Sequence, residues 1–191
     1  MFSGGWYAAP SSTAVVATAF SDGVLIPGNA LNKVPTFTTT TVTAVDTTAT
    51  GVKFAFLYSL RSAYNVSFAG QVRGRIKWQQ VAQAPAGAAG RFTMDVRRKD
   101  TSGNVSSIPG VLKGQGKPRA LDVLGGATYI ENNMVVNVPN QTFVPGESIV
   151  IAFEFEVTTP AAGNSLSVLL NCDNATSGNE LIVEIDVGRA S

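Results

Sequence analysis

The stretch from Tyr64 to Trp78 limits what this chain can fold into more than any other. Its even positions read Tyr64, Val66, Phe68, Gly70, Val72, Gly74, Ile76 and Trp78, and its odd positions Asn65, Ser67, Ala69, Gln71, Arg73, Arg75 and Lys77. Successive side chains on a strand point to opposite faces, so a period of two predicts one long strand with an apolar and a polar face. A helix would need a period of 3.6, and no helical stripe competes anywhere in the chain. Gly70 and Gly74 predict a bend or bulge within the strand.

The same alternation recurs. Phe92, Met94 and Val96 share one face of a segment whose other face carries Arg91, Thr93 and Asp95. Ile149, Ile151, Phe153, Phe155 and Val157 form another inward set, with Glu154 and Glu156 outside. Leu181, Val183, Ile185 and Val187 repeat it, with Glu184 and Asp186 outside. Val52, Phe54, Phe56 and Tyr58 form one more inward face, and Leu166, Val168, Leu170 and Cys172 another. Weaker strands are expected near Thr13–Phe20, Thr36–Val45 and Thr128–Val138. Turn-forming residues separate these runs at 100–104, 145–147 and 171–179. The small residues of 82–90 read as an exposed flexible loop, and Ile108–Arg119, with its glycines and prolines, as another loop.

About eight strands with one-sided alternation predict an all-β fold of two antiparallel sheets packed face to face, a β-sandwich of jelly-roll type. An immunoglobulin-like sandwich is the alternative, but its buried disulfide is impossible with one cysteine. The chain divides into an N-terminal arm, residues 1–12, and a single sandwich, residues 13–191.

Composition narrows the chemistry. There is no histidine, and Cys172 is the one cysteine, so histidine-based catalytic triads and zinc sites built on His or several Cys are excluded. Cys172 reads as a small buried hydrophobe. Glu154 with Glu156, and Glu184 with Asp186, have the i, i+2 spacing that sets two carboxylates on one strand face. A glycosidase pair has that requirement, but so does the solvated face of any strand. The loop 171–179 offers oxygens without the spaced carboxylates of a calcium site. No enzyme is expected, and no metal and no cofactor. The first residues, Met1-Phe2-Ser3-Gly4-Gly5-Trp6-Tyr7, show no basic and apolar leader pattern, and no run is long enough for a membrane helix.

The formal net charge of +1 conceals a segregation. Residues 53–119 carry twelve Lys and Arg against Asp95 and Asp100, and residues 120–191 carry only Arg189 against nine acids. In one reading neighbouring strands cancel these charges inside a single sandwich. In the other, a basic face with Arg73, Arg75 and Lys77 meets Glu154, Glu156, Glu184 and Asp186 of a neighbouring subunit. Nucleic acid is not the expected partner, because Phe68 and Trp78 sit on the pleat face opposite the basic row.

Several features together resemble one family. They are the Gly4-Gly5-Trp6-Tyr7 and Pro10 arm, the Thr-rich run Thr36-Phe37-Thr38-Thr39-Thr40-Thr41, the turn and strand of Val144-Pro145-Gly146-Glu147-Ser148-Ile149, and a last strand, Leu181–Val187, close to the C-terminus. In style the chain is similar to the head decoration, or cement, proteins of tailed bacteriophages. That resemblance implies a structural virion protein on the capsid exterior, made in the host cytoplasm, forming a homotrimer that bridges major capsid protein subunits. It implies no active site. Phe2, Trp6 and Tyr7 on a Gly-rich segment are then natural anchors for a partner's pocket. Two alternatives stand beside it: a carbohydrate-binding module or receptor-binding tip on a similar sandwich, and a jelly-roll coat or a tail or fibre component. The sugar-binding alternative predicts exposed aromatics in a groove, for which Trp6, Tyr58, Tyr64 and Tyr129 are the candidates.

Overall fold

The computed structural model describes residues 5–6, 20–25, 40–62, 65–122, 130–162, 166–171 and 182–185. Among these run thirteen strands and no helix. They are β1 (Gly5–Trp6), β2 (Phe20–Leu25), β3 (Thr40–Val45), β4 (Gly51–Ser62), β5 (Val66–Ala82), β6 (Ala89–Lys99), β7 (Val105–Ser107), β8 (Gly114–Gln115), β9 (Arg119–Ala120), β10 (Ile130–Phe143), β11 (Ser148–Thr159), β12 (Leu166–Asn171) and β13 (Ile182–Ile185).

Two sheets result. Sheet I runs β1-β13-β5-β12-β3, with β10 on the free flank of β5. Sheet II runs β2-β4-β11-β6-β7, and β8 and β9 also pair with β6. All pairs are antiparallel except β2 beside β4. Setting β1 and β2 aside, the chain passes from sheet to sheet: β3 in I, β4 in II, β5 in I, β6 to β9 in II, β10 in I, β11 in II, β12 and β13 in I. The orders β3-β12-β5-β10 and β4-β11-β6-β7 define an eight-stranded jelly roll, as the alternation predicts.

The long strand is the axis of sheet I. Phe68, Val72, Ile76 and Trp78 on its even face are all buried. Gly70 has a φ of +154° and faces Val138, where β10 shifts register before Gln141, so a bulge lies beside it as expected. Gly74 marks no bulge. A Cβ there would come within 2.9 Å of the Phe153 ring and against Met94 Sδ, so the glycine lets the two sheets approach each other.

Three expectations need correction. Val52 is not inward but about half exposed. Phe155 pairs with Phe54 and Glu156 with Val52, so Lys53 is an extra residue on β4 that turns Val52 to the outer face. The 82–90 stretch is not an exposed loop. β5 extends through Ala82, β6 starts at Ala89, and Ala84 and Ala88 are buried. That turn is tied down by Ala84 N–H to Leu121 O (2.7 Å), Leu121 N–H to Ala88 O (2.8 Å) and Gly87 N–H to Asp122 Oδ2 (2.9 Å). Finally, Ile108–Arg119 is not merely a loop. Ile108 is buried, and Gly114–Gln115 and Arg119–Ala120 add to the β6 edge.

The core is aromatic at its centre. Trp78 lies edge-on to Phe92 and Phe155, and Phe54 stacks on Phe155 with centroids 5.0 Å apart. The indole Nε1–H donates to Asn132 Oδ1 at 2.8 Å, which satisfies both buried polar groups.

Candidate functional site

Two outer faces remain once the core is accounted for, and they differ in character. The outer face of sheet I carries a row of polar side chains along β5 and β10, interrupted by Ala69 and by exposed Val135 opposite Arg73. Strand pairing sets Gln71 opposite Asn137, Arg75 opposite Asn133 and Lys77 opposite Glu131. Gln71 Nε2 donates to Asn137 Oδ1 at 3.2 Å, and Arg73 donates to Gln71 Oε1 at 3.1 Å. Asn133 Nδ2 donates to Glu131 Oε1 at 3.1 Å, and Lys77 Nζ lies 3.7 Å from Glu131. Ser67 and Thr142 face each other at 3.4 Å. Gln71, Arg73, Glu131, Asn133 and Asn137 are exposed. The result is a row of planar amide, guanidinium and carboxylate groups that hydrogen-bond to one another and turn their remaining donors and acceptors outward at the exposed positions.

The outer face of sheet II is closed by ion pairs. Glu154 is only 4% exposed and binds both Arg97 and Lys113. Arg97 Nε also donates to Asp95 at 2.8 Å. Arg91 Nε donates to Glu156 Oε2 at 3.0 Å, and its Nη1 to Gln115 Oε1 at 2.9 Å. Glu154 and Glu156, expected as acidic contacts for a neighbouring subunit, take cations from their own chain. The physical reason is the sheet order: basic β6 lies directly beside acidic β11, so the segregated charges meet within one sandwich.

The other expected contact residues divide as follows. Arg73, Arg75 and Lys77 share the outer face of β5, as the alternation predicts. Glu184 takes the register position opposite Arg73, and Trp6 the one opposite Val183, so Gly5–Trp6 of the expected arm pairs with β13. Phe2, Tyr7 and Asp186 lie outside the described residues, as do Tyr64, Tyr129, Cys172 and nearly all of the 171–179 loop. Asn133, Asn137 and Glu131 were not among the expected site residues. Their signal was the alternation of Glu131, Asn133 and Asn137, broken by exposed Val135, against the apolar Met134, Val136 and Val138.

A clamp holds the turn that joins β10 to β11. Glu147 accepts from Arg98 Nε at 3.1 Å and from Val144 N–H at 2.9 Å, and Arg98 lies over the Phe143 ring. The Arg98 hydrogen bond, working against the cost of burial and helped by the Val144 amide, holds the Glu147 carboxyl below its ordinary value. A lowered folded-state value stabilises the fold above the unfolded value, and that stability is lost as pH falls through the folded one. Melting temperature is therefore expected to fall on acidification below the ordinary glutamate range. Glu147→Gln is expected to flatten this acid limb; an unchanged limb in thermal melts across pH would contradict the clamp.

Among the described residues no group of three His, Cys, Asp or Glu is placed to hold a metal ion. No family model matches the chain, and no curated protein does. Solved structures do. Two crystal structures of a CocE/NonD family hydrolase from Staphylococcus aureus align at a TM-score of 0.51, with 8% and 9% identity. They cover 79% and 97% of this chain but only 33% and 37% of the hydrolase, so the chain spans about a third of the hydrolase's length. A CBM22 xylan-binding domain from Paenibacillus barcinonensis aligns over 78% of this chain and 83% of its own, at 14% identity and a TM-score of only 0.29, too distant to argue from. The hydrolase likeness shows the fold alone: this is a jelly-roll β-sandwich of a kind that also occurs as part of larger enzymes.

Proposed function

We propose that this chain is a non-catalytic recognition domain that binds carbohydrate on the outer face of sheet I. The observation that supports this is the Gln71–Asn137 and Asn133–Glu131–Lys77 ladder. Sugars present adjacent hydroxyls that both donate and accept, and planar amide, guanidinium and carboxylate groups answer them in pairs. The aromatic side chains described, from Phe54 to Phe155, are buried, so stacking contributes nothing on this part of the face. Binding then rests on hydrogen bonds, each worth about 0.5–1.5 kcal/mol. Gln71→Ala with Asn137→Ala is expected to weaken glycan binding by about tenfold or more with an unchanged melting temperature. Titration calorimetry against the strongest ligand from a glycan array checks this. The absence of any glycan ligand would overturn the reading.

The strand order favours a second reading, because jelly rolls also build viral capsids. In it the chain is a virion structural protein that trimerises and attaches to a major capsid protein. Light scattering separates the two. A trimer of 19.9 kDa chains that binds no glycan favours the virion role, and a glycan-binding monomer favours recognition.

A further inference from the structure

The ladder has a length as well as a chemistry. Its rungs run from Ser67–Thr142 through Gln71–Asn137 and Arg75–Asn133 to Lys77–Glu131. Ten residues of strand separate Ser67 from Lys77, roughly 33 Å at the rise of an antiparallel strand. That is far longer than a mono- or disaccharide. Polar side chains occupy every second residue of β5 from Gln71 to Lys77, with Ala69 between them and Ser67 and exposed Val135 opposite Arg73 on β10, so they line up along the strands rather than converging on one point. A site for a chain end needs groups converging on one terminal ring, with a wall beyond it. Between the two ends the amides Gln71, Asn133 and Asn137 are exposed instead.

The geometry points to an interior stretch of a linear polysaccharide as the ligand, lying along β5 and β10 and read by several rungs at once. This rests on the carbohydrate reading above and narrows it to the class of extended, unbranched chains. Lys77 is compensated by Glu131, Glu184 stands in register with Arg73, and Arg73 is hydrogen-bonded to Gln71. The face therefore offers hydroxyl-bearing chains both donors and acceptors.

The experiment is a length series. Cello-, xylo- and manno-oligosaccharides from disaccharide to octasaccharide are titrated against the full chain by calorimetry, beside the parent polymers. For the bound series, affinity is expected to rise about tenfold or more from the disaccharide to the longest oligomer. Reducing the terminal aldehyde should leave it unchanged. Lys77→Ala with Glu131→Ala, which removes the last rung, should shorten the length at which affinity stops rising. A disaccharide bound as tightly as the polymer, or loss of binding on end reduction, overturns the interior-chain inference while leaving carbohydrate recognition in place. No binding by any polymer or oligomer overturns the carbohydrate reading itself.

Discussion

Trp78→Ala is expected to destabilise the sandwich by about 4 kcal/mol, within the range for removing a buried aromatic. Trp78 is fully buried at the junction of Phe92 and Phe155, and its loss opens a cavity between two long strands that cannot collapse without breaking register. It also leaves Asn132 Oδ1 buried without its 2.8 Å donor, which adds the cost of an unsatisfied acceptor. For a domain of this length the melting temperature should fall by about 8–16 °C. Asn132→Ala isolates the second contribution and should cost about 1–3 kcal/mol. Equal effects from the two variants would show that the cavity contributes little and that the aromatic cluster is not the centre of the core.

Arg97→Ala is the second large effect, expected at about 3 kcal/mol. The guanidinium bridges Asp95 and Glu154, both nearly buried. Removing it leaves two carboxylates close together, with Lys113 alone to answer Glu154. Glu154→Gln should cost less. Its loss frees Lys113, whose side chain is 40% exposed and can return to water, and leaves Arg97 still paired with Asp95. Urea unfolding of both variants checks the order. A larger loss for Glu154→Gln would contradict the view that the buried carboxylates, rather than the cations, need the network.

Much of this fold is legible in the chain because period-two alternation survives in the strands that carry the core. Phe68, Val72, Ile76 and Trp78 on β5, and Ile149, Ile151, Phe153, Phe155 and Val157 on β11, are inward in the alternation and buried in the fold. The alternation fails at Val52, where an extra residue on β4 reverses the face, because a bulge is fixed by the partner strand and leaves no mark in local sequence. It was also unable to place Gly74, whose role lies in the sulfur and ring it faces across the sandwich. The charge segregation was plain, but its meaning was not. Whether Glu154 meets Arg97 or a neighbouring subunit depends on β11 lying beside β6, and that order is set by the jelly-roll path rather than by either strand. The ladder on sheet I was half legible: Arg73, Arg75 and Lys77 stood out as charges, while the amides that complete it, Gln71, Asn133 and Asn137, look like ordinary solvated positions until β5 and β10 are set side by side.

The division between a structural outer face on sheet II and a recognition face on sheet I is tested most directly by an NMR titration of the glycan that binds best in the length series. The resonances to follow are the side-chain amides of Gln71, Asn133 and Asn137, with the Arg97 guanidinium as the reference on the opposite sheet. Saturable shifts in the three amides with Arg97 unmoved are the expected result. Shifts confined to sheet II or to the turns at the ends of the sandwich, with the three amides unchanged, would contradict it.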